Sequence, residues 1–162
     1  MAVQPPPALV AELCALERPQ RPGLRWIARD QWHATLRFLA AVDTDALVAA
    51  LDDLRWPQQV VAEAGPAPVA LTRYVWALPV GGLGPLAAAV AGATSQLEAP
   101  EPRPFTGHLT LARARQPKAL RGLPAPRIRL RWGVKEVVAF RSELLPHGAR
   151  HHVLGRWPVG PG

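Results

Sequence analysis

The feature that most constrains this chain is a short sequence that occurs twice, in two segments that both have the composition of β-strands. Residues 33–36 are His-Ala-Thr-Leu, and residues 108–111 are His-Leu-Thr-Leu. Only 8 of the 162 residues are Ser or Thr and 22 are Leu. Two such matches among the histidines are therefore expected by chance on the order of 1 time in 2,000. We call the two segments the first and the second tetrad, and they predict two related strands.

Within each tetrad, the histidine and the threonine lie on the same face of the strand. Side chains two residues apart point the same way, so His33 projects with Thr35 and His108 with Thr110, while both leucines point into a core. An imidazole titrates near neutral pH, so one ring can accept a proton while the other donates one. The threonine hydroxyls can donate hydrogen bonds to phosphate oxygens. Two facing tetrads thus indicate acid–base catalysis of phosphoryl transfer, with no metal and no cofactor.

A single His-x-Thr segment on a strand is most often structural, with the histidine in a hydrogen-bond network and the threonine at a position that favours β-structure. The catalytic hypothesis therefore depends on the pair of tetrads and on their meeting at one cleft.

Length and composition narrow the class of protein. A chain of 162 residues with 49% hydrophobic and 19% charged residues has the make-up of one globular domain, which we expect to span residues 1–162. The single cysteine, Cys14, excludes an internal disulfide framework and a cysteine-based zinc cluster. No apolar run approaches 18 residues and the first residues do not read as a signal peptide, so we expect a cytoplasmic protein without a membrane partner. A monomer is the default expectation.

The charge is uneven along the chain. Residues 1–100 hold seven Arg against nine Asp and Glu, whereas residues 101–162 hold twelve Arg and Lys against three Glu. A basic C-terminal third suggests a polyanionic partner such as nucleic acid, although a GC-rich genome would also give many arginines. Arg127, Arg129 and Arg131 alternate along one segment. They are interpreted either as an exposed strand edge that resists aggregation or as a track for an RNA backbone.

The pattern along the chain predicts an α+β domain with mainly antiparallel strands. Helices are expected over residues 5–17, 46–55, with Asp43 among the candidate N-caps, and 86–97. Strands are expected over 24–28, 33–40, 60–61, 69–71, 74–80, 108–113, 128–132, 134–140 and 153–157. Residues 114–126 and 144–151 are expected to be loops.

The paired tetrads resemble the signature of the 2H phosphoesterase superfamily, and within it the bacterial RNA 2′,3′-cyclic phosphodiesterases, also called LigT-like or 2′-5′ RNA ligases. The flanking sequences strengthen the resemblance, which covers nearly the whole chain. Leu-Arg-Trp at 24–26 and Arg-Phe-Leu at 37–39 are similar to the first motif region, and residues 103–113 to the second. Val-Val-Ala-Phe-Arg-Ser at 137–142 resembles the C-terminal strand of the family.

The resemblance implies a two-lobed α+β fold in which each lobe contributes one tetrad to a central cleft. It implies hydrolysis of an RNA 2′,3′-cyclic phosphate end to a 2′-phosphate, with His33 and His108 as the acid–base pair and Thr35 and Thr110 holding the phosphate. As a working order, His33 is the acid and His108 the base. Reversible 2′-5′ ligation is chemically possible at such a site. The alternatives are another cyclic phosphate or a 2′-5′ linkage as substrate, or a non-catalytic RNA-binding module.

Three further residues are expected to bind substrate. Arg37 shares its strand parity with the first tetrad and could bind phosphate as a fork. Arg113 matches the second motif of the family but has the opposite parity to His108 on a straight strand. Phe105 and Phe38 could stack on a base, although core packing is the favoured interpretation of both. Tyr74 and Trp76 are explained equally well by the cleft and by an ordinary aromatic strand.

The chain departs from the family at both ends. Only three residues precede Gln-Pro-Pro at 4–6, so either the first strand is short or the natural start lies upstream. The family tends to carry an aromatic residue near its C-terminus, where this chain has Arg150, His151 and His152, so no substrate contact is carried over there. His147, His151 and His152 could suggest a metal site, but without a neighbouring acidic cluster a solvated loop is the favoured interpretation.

Overall fold

The computed structural model describes residues 1–145 and 148–160, and it consists of an antiparallel sheet with three α-helices. The helices are α1 (Pro7–Cys14), α2 (Thr44–Asp52) and α3 (Gly84–Ala93), and two short 3₁₀ turns cover Arg29–Gln31 and Pro117–Leu120. The strands are β1 (Ala2–Val3), β2 (Leu24–Trp26), β3 (Ala34–Thr35), β4 (Val61–Ala64), β5 (Val69–Thr72), β6 (Val75–Gly81), β7 (His108–Ala114), β8 (Leu130–Gly133), β9 (Glu136–Leu145) and β10 (Gly148–Pro158).

The order of the strands brings the two tetrads together in the middle of the sheet. The main path runs β10-β9-β1-β3-β7-β6-β4-β8, and β2 and β5 pair with β7 and β6 beside it. Strand β3 carries part of the first tetrad and β7 the second, and they are direct neighbours. Three strands lie beyond β3 on one side and three beyond β7 on the other. The site is therefore built where the two halves of the sheet meet.

Each helix begins where the sequence favours a helix and packs an apolar stripe on the sheet. Prolines open α1, whose Leu9 and Leu13 are fully buried. The Asp43 side chain accepts a hydrogen bond from the Ala46 backbone N–H at 2.8 Å and caps α2 as predicted. At the other end of the same helix, the Trp157 indole donates to the carboxylate of Asp52 at 2.7 Å.

Two hydrophobic clusters hold these layers together. The larger lies between α1, α3 and the inner face of the sheet and includes Leu86, Val90, Leu78 and Leu109. The smaller lies under α2, where Leu47 and Leu51 meet Ala139 and Trp157. Burial of aliphatic side chains on this scale is the main stabilising contribution to a domain of this size. The other face of the β7-β6-β4-β8 half carries exposed residues.

The structure confirms the predicted antiparallel α+β class and corrects several element bounds. The strand expected over 33–40 is reduced to Ala34–Thr35, because the backbone N–H groups of Leu36 and Arg37 both turn to one carbonyl, that of Met1. The prediction of a loop over 144–151 is wrong for the described residues, which continue β9 and begin β10. Among the described residues, no helix is both long and apolar enough to cross a membrane.

Candidate active site

The two tetrads lie side by side on antiparallel strands. The second residue of one tetrad pairs with the second residue of the other, Ala34 with Leu109. Extending this register by one residue places each histidine opposite the threonine of the other tetrad. The opposed pairs are His33 with Thr110 and Thr35 with His108.

The burial pattern shows that these four side chains share one face. All four are partly buried, whereas the alternating residues Ala34, Leu36, Leu109 and Leu111 are 1–6% exposed and belong to the core. The two histidines are diagonal neighbours across the strand pair, an arrangement in which side-chain origins lie roughly 7–8 Å apart. Two imidazoles and two hydroxyls therefore project together from one face of this strand pair.

Both imidazoles are anchored in the same way. The Nδ1 atom of His33 lies 2.8 Å from the carbonyl oxygen of Gln31, and Nδ1 of His108 lies 2.9 Å from that of Thr106. Because a carbonyl oxygen can only accept a hydrogen bond, each Nδ1 carries the proton. In the neutral ring, Nε2 is then left as the proton acceptor. In both cases the carbonyl belongs to the residue two positions earlier in the chain, so Nε2 is the free ring nitrogen of each histidine.

The surroundings of the two histidines differ. The His33 ring lies 5.0 Å from the His151 ring, in an edge-to-face arrangement, and 5.8 Å from the ring of Phe140. Burial lowers the pKa of His33 below its usual value, and the hydrogen bond to Gln31 partly opposes this. Positive charge on His151, on the N-terminal amino group and on His108 lowers the pKa further. The neutral form of His33 is therefore favoured in the free protein.

A cleft of about 500 Å³ opens beside His33. Its wall includes Thr35, Phe140, Ser142 and His151, and it extends past the residues that lead into α2. Phe38 also lines it and is 64% exposed, so the expectation that Phe38 packs in the core is wrong. The cleft combines hydrogen-bonding groups with aromatic surface, as small-ligand sites commonly do.

The structure adds His151 to the site, which the sequence did not place there. His151 lies on β10 directly opposite Ser142 of β9, and its Nδ1 atom is 3.0 Å from the Ser142 hydroxyl. Burial lowers the pKa of His151, and the carboxylate of Asp30 raises it in part. His152, the next residue, is exposed and lies 3.5 Å from the carboxylate of Glu143. His147, considered with them as a metal ligand, lies outside the described residues.

Arg37 lines the cleft, but its guanidinium bonds to α3 and to the segment that follows it. The side chain is 9% exposed, and it donates to the carbonyl of Ala91 at 2.8 Å, to the Thr94 hydroxyl at 2.9 Å and to the carbonyl of Glu98. Thr94 in turn donates to the carbonyl of Val90. These bonds satisfy carbonyl groups at the C-terminal end of α3. These three bonds use three of the five guanidinium N–H donors, which favours a structural role for Arg37.

Arg113 reaches the site face through a β-bulge. The pairing of β7 with β6 skips Leu111, and both Leu111 and Ala112 are buried. One extra residue in a strand reverses the alternation that follows it, so the exposed Arg113 lies on the same face as Thr110. Arg25 of β2 pairs directly with Arg113 and is also exposed. The bulge removes the parity conflict that the sequence suggested.

Phe105 lies at the entrance to the second tetrad. It is 38% exposed, so core packing is not its role. Its ring edge would come within 3.4 Å of a Cβ at Gly107, and the same Cβ would meet the carbonyl oxygen of Val80 at 2.2 Å. The chain approaches β6 so closely here that only glycine fits. Gly107 thus sets the path of the backbone immediately before His108.

The described residues contain no cluster of three or more His, Cys, Asp or Glu side chains placed to bind a metal ion.

Comparison with known proteins gives structural neighbours only. No protein-family model and no curated protein sequence matches the chain. The solved structure of TT0787 from Thermus thermophilus is 26% identical, with a TM-score of 0.83 over 99% of this chain and 97% of that one. LigT from E. coli in complex with NADP⁺ is 24% identical, with a TM-score of 0.77 over 99% of this chain and 96% of that one.

The complex of E. coli LigT with 3′-AMP is similar to the same degree, at 24% identity and a TM-score of 0.77, over 98% of this chain and 95% of that one. These matches extend over nearly the whole chain, so the resemblance carried by the tetrads is confirmed at the level of the fold. The chain has a LigT-like fold.

Proposed function

We propose that this protein is a metal-independent phosphoesterase that hydrolyses RNA 2′,3′-cyclic phosphate ends to 2′-phosphates. The observation that carries the proposal is the register of β3 and β7. It sets two imidazoles, each with Nδ1 bound to a backbone carbonyl, as diagonal neighbours on one face of the strand pair. Thr35 and Thr110 occupy the other two positions on the same face, each opposite a histidine.

In the proposed reaction, one Nε2 accepts a proton from water while the water oxygen forms a bond to phosphorus. The bond from phosphorus to the 3′ oxygen breaks, and the other imidazole donates its proton to that oxygen. The products are a 2′-phosphomonoester and a free 3′ hydroxyl. Thr35 and Thr110 donate hydrogen bonds to the non-bridging oxygens, where negative charge increases in the transition state.

The surroundings of the histidines favour His33 as the base. A base must be neutral before it accepts a proton, and burial together with the charge on His151 favours neutral His33. His108 is then the acid. This order is the reverse of the working order taken from the sequence.

RNA is the substrate class that the surroundings of the site support best. Arg113 and Arg25 add positive charge on the face of the second tetrad, and Phe105 and Phe38 expose rings that can stack on a base. E. coli LigT, which has the same fold, binds 3′-AMP and NADP⁺ in its solved structures. We assign Arg37 a structural role. Action as a cytoplasmic monomer stays an expectation from the sequence.

Substitution of the two histidines tests the proposal. General acid–base catalysis contributes about 10² to 10⁴ in rate, so His33→Ala and His108→Ala should each lower kcat/KM on a cyclic-phosphate RNA by that order. The pH profile of the wild-type protein should be bell-shaped, because the two rings act in opposite protonation states.

His152→Ala is the matched control, since His152 is exposed and pairs only with Glu143 among the described residues. It should retain wild-type turnover. Circular dichroism should show that all three variants keep the fold. Full activity after removal of either tetrad histidine would exclude the mechanism. Salt-dependent RNA binding without any turnover would instead favour the non-catalytic RNA-binding module.

A further inference from the structure

Arg131 lies on the same face of the sheet as the second tetrad, three strands away. The register leads there step by step: His108 pairs with Pro79 of β6, Gly81 of β6 pairs with Glu63 of β4, and Glu63 pairs with Arg131 of β8. Directly paired residues in an antiparallel sheet share a face, as do residues two apart on one strand. Arg131 therefore projects to the same side as the second tetrad, and Arg129 lines the same groove as Arg131.

The exposure of these residues agrees with the register. Glu63, Gly81, Arg129 and Arg131 are all exposed, whereas the strand neighbours Ala62, Ala64 and Val80 are buried in the core. Strand β8 begins at Leu130, so Arg127 and Arg129 both precede it, and of these two Arg129 lines the groove whereas Arg127 does not. Of the three alternating arginines, Arg129 and Arg131 are therefore the two that we consider for RNA binding.

A groove of about 440 Å³ lies between the arginines and β6. Three glycines line it, Gly65, Gly81 and Gly82. A Cβ at Gly81 would have no neighbour closer than 3.9 Å, so the space above this residue is open. We call this groove, with Arg129 and Arg131 at its wall, the β8 groove.

The β8 groove is positively charged with one acidic residue in it. Arg131 lies 3.6 Å from the carboxylate of Glu63, with both side chains largely exposed. An exposed pair of this kind contributes little stability, so a phosphate can replace the carboxylate as the partner of Arg131. Arg129 forms no ion pair among the described residues.

We propose that the β8 groove binds the phosphate backbone of a single-stranded RNA whose cyclic end occupies the tetrads. This inference rests on the proposed function and names its substrate as an oligonucleotide rather than a cyclic mononucleotide. Three interstrand spacings of about 4.8 Å separate β7 from β8, or about 14 Å in all. At about 3.4 Å per nucleotide in a stacked strand, this distance corresponds to roughly four nucleotides.

Strand β8 is also an edge strand, where charged side chains can prevent edge-to-edge pairing. Edge protection requires charged side chains near the edge, but these side chains need not lie on one particular face of the sheet or beside a groove. The placement of both arginines beside the open space above Gly81, on the side of the sheet that carries the second tetrad, favours RNA binding.

The test compares two substrates, 2′,3′-cyclic UMP and a ten-nucleotide RNA with a 2′,3′-cyclic phosphate end. Arg129→Ala with Arg131→Ala should raise KM for the ten-nucleotide RNA several-fold and leave turnover of cyclic UMP unchanged. The slope of log binding constant against log salt should fall by about one for each arginine removed. Glu63→Gln should lower KM for the RNA, because it removes a carboxylate that competes with phosphate.

Arg55→Ala is the matched control, since it removes one exposed arginine just beyond α2, which packs at the β9–β10 side of the sheet. It should change neither substrate's KM. Equal KM values for the RNA in the wild-type protein and in the double variant would overturn the proposal while leaving the proposed function intact. If neither substrate is hydrolysed, the proposed function fails. In that case, binding of the same RNA tests whether the β8 groove contacts it. Weaker binding by the double variant supports RNA binding by the groove, and equal binding overturns it.

Discussion

At the scale of single residues, the two tetrad histidines have the same backbone anchor but different neighbours, and this difference should assign their roles. A substrate in which sulfur replaces the bridging 3′ oxygen tests the assignment. A thiol has a pKa near 8.5, so a thiolate can leave without first receiving a proton. Loss of the acid should then cost much less on the sulfur substrate than on the oxygen substrate.

We therefore expect His108→Ala to recover most of its lost kcat/KM on the sulfur substrate, whereas His33→Ala should be impaired on both. Stopped-flow turnover of the two substrates by each variant gives the comparison. Recovery by His33→Ala and not by His108→Ala would restore the working order taken from the sequence.

His151 should set the acidic limb of the pH profile. Positive charge on His151 lowers the pKa of His33, and the base is lost when His33 becomes protonated. His151→Gln removes that charge and part of the covering ring. The pKa of His33 should rise, and the acidic limb of kcat/KM should move to higher pH. His152→Gln, one residue along and exposed, should leave the limb in place. A limb that stays unmoved or shifts to lower pH in His151→Gln would contradict this account.

The sequence revealed the tetrad residues but not His151, for a physical reason. The tetrads repeat, and their alternation on a strand is a local property that one segment shows by itself. His151 approaches His33 only because β10 pairs with β9 and β9 pairs with β1, contacts that no local pattern contains. The one available signal was the departure from the family at residues 150–152, where an aromatic residue is usual. The parity of Arg37 was also a local property, but β3 ends at Thr35 and the Arg37 guanidinium bonds to groups at and beyond the end of α3. No local pattern contains those bonds.

At the scale of the elements, the approach of β7 to β6 fixes the position of His108. The Val80 N–H donates to the carbonyl of Gly107 at 2.9 Å, and a Cβ at Gly107 would overlap the carbonyl oxygen of Val80. Gly107→Ala should therefore destabilise the fold by about 1–3 kcal/mol, as overpacking does, and should reduce turnover by moving His108.

Urea unfolding followed by tryptophan fluorescence measures this effect. Gly133→Ala is the matched strand control, because a Cβ there would meet nothing within 4 Å. Its free energy of unfolding should lie within about 0.5 kcal/mol of wild type. Equal destabilisation by the two substitutions would show that the close approach at Gly107 has no special effect.

The start of a helix was predicted correctly where contacts within a few residues determine it. The bounds of a strand were predicted wrongly where pairing with a distant strand determines them. Asp43 caps α2 and prolines open α1, both through contacts within a few residues. The Pro, Gly and Arg content of residues 144–151 is typical of a loop, but pairing with β9 outweighs that preference and extends β10 to Gly148. The bulge at Leu111 was equally invisible, since nothing in the sequence of β7 indicates an extra residue.

At the scale of the whole molecule, the repeated tetrad led to the fold through a resemblance, because the periodic pattern alone left the strand order open. The structure explains why two copies are needed. Neighbouring antiparallel strands bring each histidine opposite the threonine of the other copy, so neither copy forms a site alone. Two arginines of the basic C-terminal third, Arg129 and Arg131, line the β8 groove.

The central claim is that two imidazoles, without a metal, open a cyclic phosphate at its 3′ oxygen. The most direct measurement incubates the purified protein and EDTA with a short RNA that ends in a 2′,3′-cyclic phosphate, and identifies the terminal phosphate of the product by ³¹P NMR. The account predicts conversion to a 2′-phosphate at a rate that EDTA does not change. A 3′-phosphate product would show that the 2′ oxygen leaves instead, and turnover abolished by EDTA and restored by added metal ions would contradict the two-histidine mechanism.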